Sequence, residues 1–350
     1  MLDEFFIIIV SLVLVLIFWW AFQRLPDERW QIIACLPYLR LSDGRWRGWN
    51  LTWYGFFNAV AVVFAVCVFL ILAGSISTPL IASLSLFILL FATCLPAAKM
   101  MAFLIEKKQN TFTIGGASFI GVLVAPWIIL LTNVTAGKGV GFNITPINAL
   151  AAMSIAYTLG EGIGRLACIS FGCCYGKPLT ECSPLINKIF QKHNFIFSGE
   201  TKKIAYAHEL DGQKVIPIQA LTAVIYSLTG LAGCYLFLKG FTTAAFVLTL
   251  LVTQLWRILS EFLRADYRGT GKISVYQIMA SIACLYGLFI AYLFYSTPIS
   301  IPDLALGFTA IWNPAVLISL PALWIAVFFY LGKSRVTSSL IEIHVLKKNI

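Results

Sequence analysis

Nine stretches of mostly apolar residues, separated by polar segments, organise this chain. They cover 5–22, 51–75, 79–105, 116–135, 144–168, 217–238, 241–263, 274–296 and 309–331. About 20 apolar residues in helical form cross a bilayer core. The runs are continuous rather than alternating, which predicts helices and argues against strands. The pattern therefore predicts an all-α polytopic integral membrane protein of about nine transmembrane helices, built as a single membrane domain over 1–350. Residues 177–216 form the one long polar insertion and read as the only candidate for a small extramembrane subdomain. Asp3 and Glu4 precede the first run and no small-residue cleavage site follows it, so 5–22 read as a retained helix. No internal repeat stands out.

Composition sharpens this picture. Hydrophobic residues make up 60% of the chain and charged residues 11%, with a mean hydropathy of +0.88. Soluble domains carry about 25% charged residues, so a soluble protein is excluded. The net charge of +10 does not point to nucleic acid, because the basic residues lie in loops beside apolar spans, where anionic lipid is their natural partner. With nine spans, the loops 23–50, 106–115, 176–216 and 264–273 share one side with the C-terminal tail. That side carries 20 Lys and Arg, and the other only Lys138 and Lys239. The positive-inside rule would make the basic side cytoplasmic.

Five charged residues fall inside spans or at their ends: Lys99, Glu161, Arg165, Arg257 and Glu261. A charge at bilayer depth costs roughly 3 kcal/mol or more unless paired. Arg165 and Arg257 approach the basic side from separate spans. Arg257 and Glu261 share a helix face at i and i+4, with Arg264 following. Arginine forks bind phosphate oxygens in pairs, so these residues predict a receptor for a phospholipid headgroup. The competing reading is an ion-pair network, such as Arg257 with Glu261, that only locks helices together. Trp53-Tyr54-Gly55, Gly115-Gly116-Ala117-Ser118-Phe119, Pro217 with Gln219, and Ser274 with Gln277 open four further spans on the same side. Polar span ends gathered there predict a shared cavity, with free backbone donors at Gly115 and Gly116. Around Arg165, Gly160, Gly162, Gly164, Gly172 and Gly176 allow close helix approach.

The nine cysteines do not suggest a disulfide framework. Cys35, Cys67, Cys94, Cys234 and Cys284 are scattered singly, whereas Cys168, Cys173, Cys174 and Cys182 cluster within fifteen residues. Four readings of the cluster compete: a thiol nucleophile activated by Arg165, a disulfide, zinc bound together with His208, and plain packing.

Taken in order, Trp53-Tyr54-Gly55, the Gly115–Phe119 segment, Leu159-Gly160-x-x-x-Gly164-Arg165, Gly172 and Gly176, Pro217-x-Gln219, Arg257-x-x-x-Glu261-Phe262-x-Arg264 and Ser274-x-x-Gln277 resemble the prolipoprotein diacylglyceryl transferase family. The resemblance covers residues 50–296 and implies a seven-helix transferase core with one helix added at each end. It implies an enzyme of the plasma (inner) membrane that uses phosphatidylglycerol, or another anionic phospholipid, as donor. The diacylglyceryl group would pass to a prolipoprotein cysteine thiol or to a changed acceptor. By this resemblance Arg165 and Arg257 hold the phosphate, and Tyr54 orients the lipid. Glu261 and Arg264 brace Arg257, while Gly115, Gly116, Ser118, Gly164, Gln219 and Gln277 line the substrate site. Cys173 joins the catalytic set as a candidate nucleophile. No metal and no cofactor are implied. The chain departs from the family pattern at Ile120 and Ile216, where His is usual, at Cys168, where Asn is usual, and at Cys173, where Glu is usual. A non-catalytic lipid-binding or scramblase-like protein, and a small-solute transporter, are the alternatives. A transporter more often shows paired repeats and broken helices.

Overall fold

The structure is a computed structural model that describes residues 2–106, 114–266, 273–296 and 301–350. The polar loops expected at 106–115 and 264–273 lie partly outside these residues. In chain order the helices are α1 (Leu2–Arg24), α2 (Trp53–Ser75), α3 (Leu80–Glu106), α4 (Ile114–Thr132), α5 (Lys138–Val140), α6 (Pro146–Phe171), α7 (Pro184–Phe190), α8 (Lys203–His208), α9 (Ile218–Leu238), α10 (Thr242–Glu261), α11 (Val275–Leu293), α12 (Leu304–Ile311) and α13 (Pro314–Gly332). Strands are β1 (Ile32–Arg40), β2 (Trp46–Thr52), β3 (Phe195–Ile196), β4 (Lys214–Val215) and β5 (Lys333–Ile341).

Among the described residues, eight helices are long and apolar enough to span a bilayer: α1, α2, α3, α4 with its continuation to Val140, α9, α10, α11 and α13. The protein is thus an all-α, multi-pass membrane protein. The 26-residue α6 is as long as these but is not among the eight, because it carries the polar residues of the site. It forms the centre of the bundle, packed against α2, α9 and α10. Its partners α2 and α9 each bury 56% of their apolar window, whereas α1 and α13 bury 17%, which leaves the outer helices facing lipid.

Local chemistry sets the helix ends. Pro146 and Pro314 open α6 and α13 at positions where their missing N–H costs nothing. Thr52 caps α2 by accepting from the Gly55 amide at 3.4 Å. Ser274 and Gln277 form a reciprocal capping box at the start of α11. Pro96, Pro126 and Pro321 sit inside α3, α4 and α13. Packed membrane helices accommodate such breaks.

The apolar runs form helices, as their continuity predicts, and strands occur between and after the spans. β1, β2 and β5 form an antiparallel sheet in the order β1-β2-β5, with Asn50 opposite Cys35 and Gly48 opposite Ser339. A tight turn at Asp43 and Gly44 joins β1 to β2. Residues 177–216 also carry local structure. Within them, β3 pairs with β4, Phe197 and Val215 are fully buried, and Pro178 bridges to Val215.

Candidate functional site

Six helix ends meet at one boundary. α6 and α10 arrive there, while α2, α4, α9 and α11 depart from it. Arg165 lies six residues before the end of α6 and Glu161 ten, so the charges sit about 9 and 15 Å in from that end at about 1.5 Å per residue.

Glu161 is the hub. One carboxylate oxygen accepts from Arg165 Nη2 within α6, and the other accepts from Arg257 Nη2 across α10 at 2.7 Å. Tyr157 donates to the same carboxylate, and Arg257 also donates to the Tyr157 hydroxyl. Arg257, expected to work with Glu261 on its own helix, thus crosses to α6. The Glu161 side chain is only 3% exposed. Tyr226 donates to the Thr253 carbonyl at 3.0 Å and stands beside both guanidiniums. The Nε–H groups of Arg165 and Arg257 are buried and lack any partner among the described residues. Arg165 and Arg257 share the single carboxylate of Glu161, and each keeps a spare Nε–H donor in the bundle interior. Donors at that depth call for an acceptor.

The other expected residues gather around this hub in different ways. A Cβ on Gly115 would lie 3.1 Å from Arg257 Nη1 and 2.9 Å from the Tyr276 ring, so the glycine is what lets that guanidinium reach the first turn of α4. Gly116 is buried beside it, and Ser118 Oγ donates to the Gly115 carbonyl at 3.1 Å. Gly164 faces Ala61 of α2 at ordinary contact distance. Tyr54 sets its ring 5.4 Å from that of Phe171, and its hydroxyl is within electrostatic reach of Cys168, Cys173 and Cys174. Gln219 is fully buried. Its Nε2 donates to the Cys173 carbonyl at 2.8 Å, and its Oε1 has no partner. Gln277 serves the capping box and donates to the Ile258 carbonyl at 3.1 Å, tying α11 to α10. Arg264, expected to brace Arg257, grips Asp266 with two hydrogen bonds of 2.7 and 2.8 Å. Glu261 closes α10 within electrostatic reach of Arg264.

Beyond α6 the chain reverses at Gly172, whose φ of +68° is left-handed, and again at Cys174, φ +57°. The two turns fold Cys173 and Cys174 back onto Cys168, so that the three Sγ atoms lie within 4.8 Å of one another. Lys177 and Ala265 amides then pair this loop with the end of α10. The hydrogen bond with Cys168, then the one with Cys174, and then burial push the Cys173 thiol well above the ordinary range. Cys182 donates instead to the Pro178 carbonyl, and His208 Nδ1 shares a hydrogen bond with Tyr175. Neither belongs to the group of three.

A wholly apolar cavity of about 560 Å³ opens between α1, α2 and α6. Trp20, Trp30 and Trp53 line it, together with Ile163 and Leu166 of α6, the residues that flank Gly164 and Arg165. None of the charged residues lines it.

Tyr157 and Tyr226 are the site residues that sequence reasoning missed. Tyr157, Glu161 and Arg165 recur at four-residue steps on one face of a helix, which is the signal that could have found the first. Nothing in the sequence marks Tyr226.

Residues 45–293 match the family model described as prolipoprotein diacylglyceryl transferase. Neither the curated proteins nor the solved structures include a significant match.

Proposed function

The chain belongs to the prolipoprotein diacylglyceryl transferase family, and we propose that it draws the diacylglyceryl group from phosphatidylglycerol. The observation that carries this reading is that Arg165 and Arg257 share the one carboxylate of Glu161 and keep two buried Nε–H donors with no partner among the described residues. A phosphodiester monoanion matches those donors in charge and in acceptor geometry. The acyl chains would enter the apolar cavity beside α6, whose lining carries no charged side chain.

The reaction moves a glyceryl carbon from phosphate oxygen to sulfur. The acceptor thiolate attacks that carbon, the C–O bond breaks, and the electron pair leaves with glycerol phosphate. Negative charge on the phosphate grows from one towards two as the bond breaks. Donors aimed there stabilise the transition state more than the bound lipid, which is what accelerates a reaction. Tyr54 and Gly115 would orient the lipid, and Arg264, Glu261, Gln219 and Gln277 would hold the helix ends that frame it. The acceptor would be a prolipoprotein cysteine, met at the plasma (inner) membrane.

The test incubates the purified protein with labelled phosphatidylglycerol and a cysteine-bearing prolipoprotein peptide. Peptide labelling with release of glycerol phosphate is expected, falling about 100-fold or more in Arg165→Ala. Ile120 and Ile216, where the family pattern has His, favour one other reading, a relative that binds lipid without turnover. Tight lipid binding with no glycerol phosphate released would establish that reading instead.

A further inference from the structure

We propose that Cys168, Cys173 and Cys174 form a binding site for a thiophilic divalent cation of the zinc class, with three thiolate ligands and one open coordination position. A tetrahedral zinc ion with sulfur ligands at about 2.3 Å holds those sulfurs about 3.8 Å apart. The three Sγ atoms already lie within 4.8 Å of one another. The approach this leaves to each pair of sulfurs is at most about 1 Å.

Three further observations favour a cation. The cluster is assembled by a specific backbone path: the α6 cap at Gly172 and the left-handed Cys174, a conformation that costs a side-chain-bearing residue energy. Simple packing of small residues does not require that path. The thiols gather inward, with Cys168 and Cys173 buried and Cys174 half-buried. Third, cationic groups stand near the thiols; they oppose a cation directly and favour it through the thiolate form of the ligands that they stabilise. Arg165 acts on Cys168 and Cys174, Lys203 on Cys173 and Cys174, and Arg264 on Cys174. Three thiolates and one divalent ion carry a net charge of −1, which these neighbours accommodate. Binding releases three thiol protons to solvent and involves no change of oxidation state.

The open position has a use that rests on the transferase reading. A fourth thiol ligating the ion gives up its proton, so an acceptor cysteine bound there is held as the thiolate that attacks the glyceryl carbon. The proton leaves to solvent, and the C–O electron pair leaves with the phosphate.

The full chain, purified anaerobically in detergent, is analysed for bound zinc and titrated with Co2+. About one equivalent of metal per chain is expected, with an intense sulfur-to-cobalt charge-transfer band. That band should be lost in Cys168→Ser and Cys173→Ser and kept in Cys182→Ser. Reduced, alkylatable thiols with no metal and no cobalt band would overturn the site. So would two thiols protected from alkylation until a reductant is added, since that result marks a disulfide. The wild-type titration decides the matter even if a serine variant fails to fold. For the open position, a cysteine peptide is expected to shift the cobalt spectrum and its serine counterpart not to. Full transfer activity by the zinc-free protein would overturn the acceptor role and leave the transferase reading standing. A loaded site with no glycerol phosphate release from any acceptor would remove the transferase reading and leave the metal site intact.

Discussion

Glu161 is the residue on which the interior charges turn. Removing one partner of a buried charge network costs about 3–5 kcal/mol, because the remaining charge has no compensation. Glu161→Gln removes the carboxylate that both arginines share and is expected to lower the unfolding temperature sharply in neutral detergent. Added phosphatidylglycerol should restore part of the loss. An unchanged melting curve would mean that the carboxylate does not hold the two arginines. Gly115→Ala tests the same centre more gently. Its methyl would crowd Arg257 and Tyr276, so glycerol phosphate release should fall about tenfold or more for a stability loss of only about 1–3 kcal/mol. Outside the membrane, Lys202 is fully buried, and its ammonium donates to the Ser170 carbonyl at 2.7 Å and the Leu25 carbonyl at 3.2 Å. Burial holds its pKa down to about 8, against 10.5 for an exposed lysine. Between those values the unfolded chain binds more protons than the folded one, so stability rises with pH across about 8 to 10.5. In Lys202→Met that rise should vanish from denaturation curves collected over the same range.

At the level of elements, the helices were legible because an apolar run long enough to cross a bilayer has few other structures open to it. The sheet was not. β1 and β2 are adjacent in sequence, but β5, which completes the sheet, lies at the far end of the chain, and long-range pairing leaves no local periodicity to read. The site was legible in part for the same reason. Arg165 and Arg257 announce themselves as charges in apolar surroundings, and their convergence follows from both approaching one boundary. That Glu161 joins them depends on how α10 rotates against α6, which neither helix specifies alone. The thiol cluster depends on a left-handed turn at Cys174, a conformation that sequence does not signal for cysteine. One element contact explains a motif glycine in purely steric terms. A Cβ on Gly55 would come within 2.1 Å of the Gly332 backbone, where α2 crosses α13. Gly55→Val should therefore separate α13 and β5 from the core and open them to protease, while the ion-pair hub on α6 stays folded. Proteolysis that spares residues 314–341 in this variant would count against the contact.

For the whole molecule, the structure changes the weight of the charge asymmetry that bears on which way the site faces. The 20 basic residues on the site's side would normally mark it as cytoplasmic. That rule counts solvated charges in short loops during insertion. Several of these charges are spent on the fold: Arg45 binds Asp43, Arg264 binds Asp266, Lys202 is buried, and Lys333 sits over the Trp49 ring at 3.1 Å. Six of the 20 belong to residues 176–216, a folded segment too long to be a simple connecting loop. At the opposite end, Lys239 pairs with Glu4 at 2.6 Å and Asp3 at 3.4 Å, which neutralises half of the little positive charge there. An acceptor that is exported before modification requires the site to face outward. Alkaline phosphatase inserted after the exposed Lys192 is therefore expected to be active, because its disulfides form only in an oxidising compartment. The same enzyme inserted after Lys239 should be inactive. The reverse pattern would place the arginine pair towards the cytoplasm, and an exported prolipoprotein could then no longer be the acceptor.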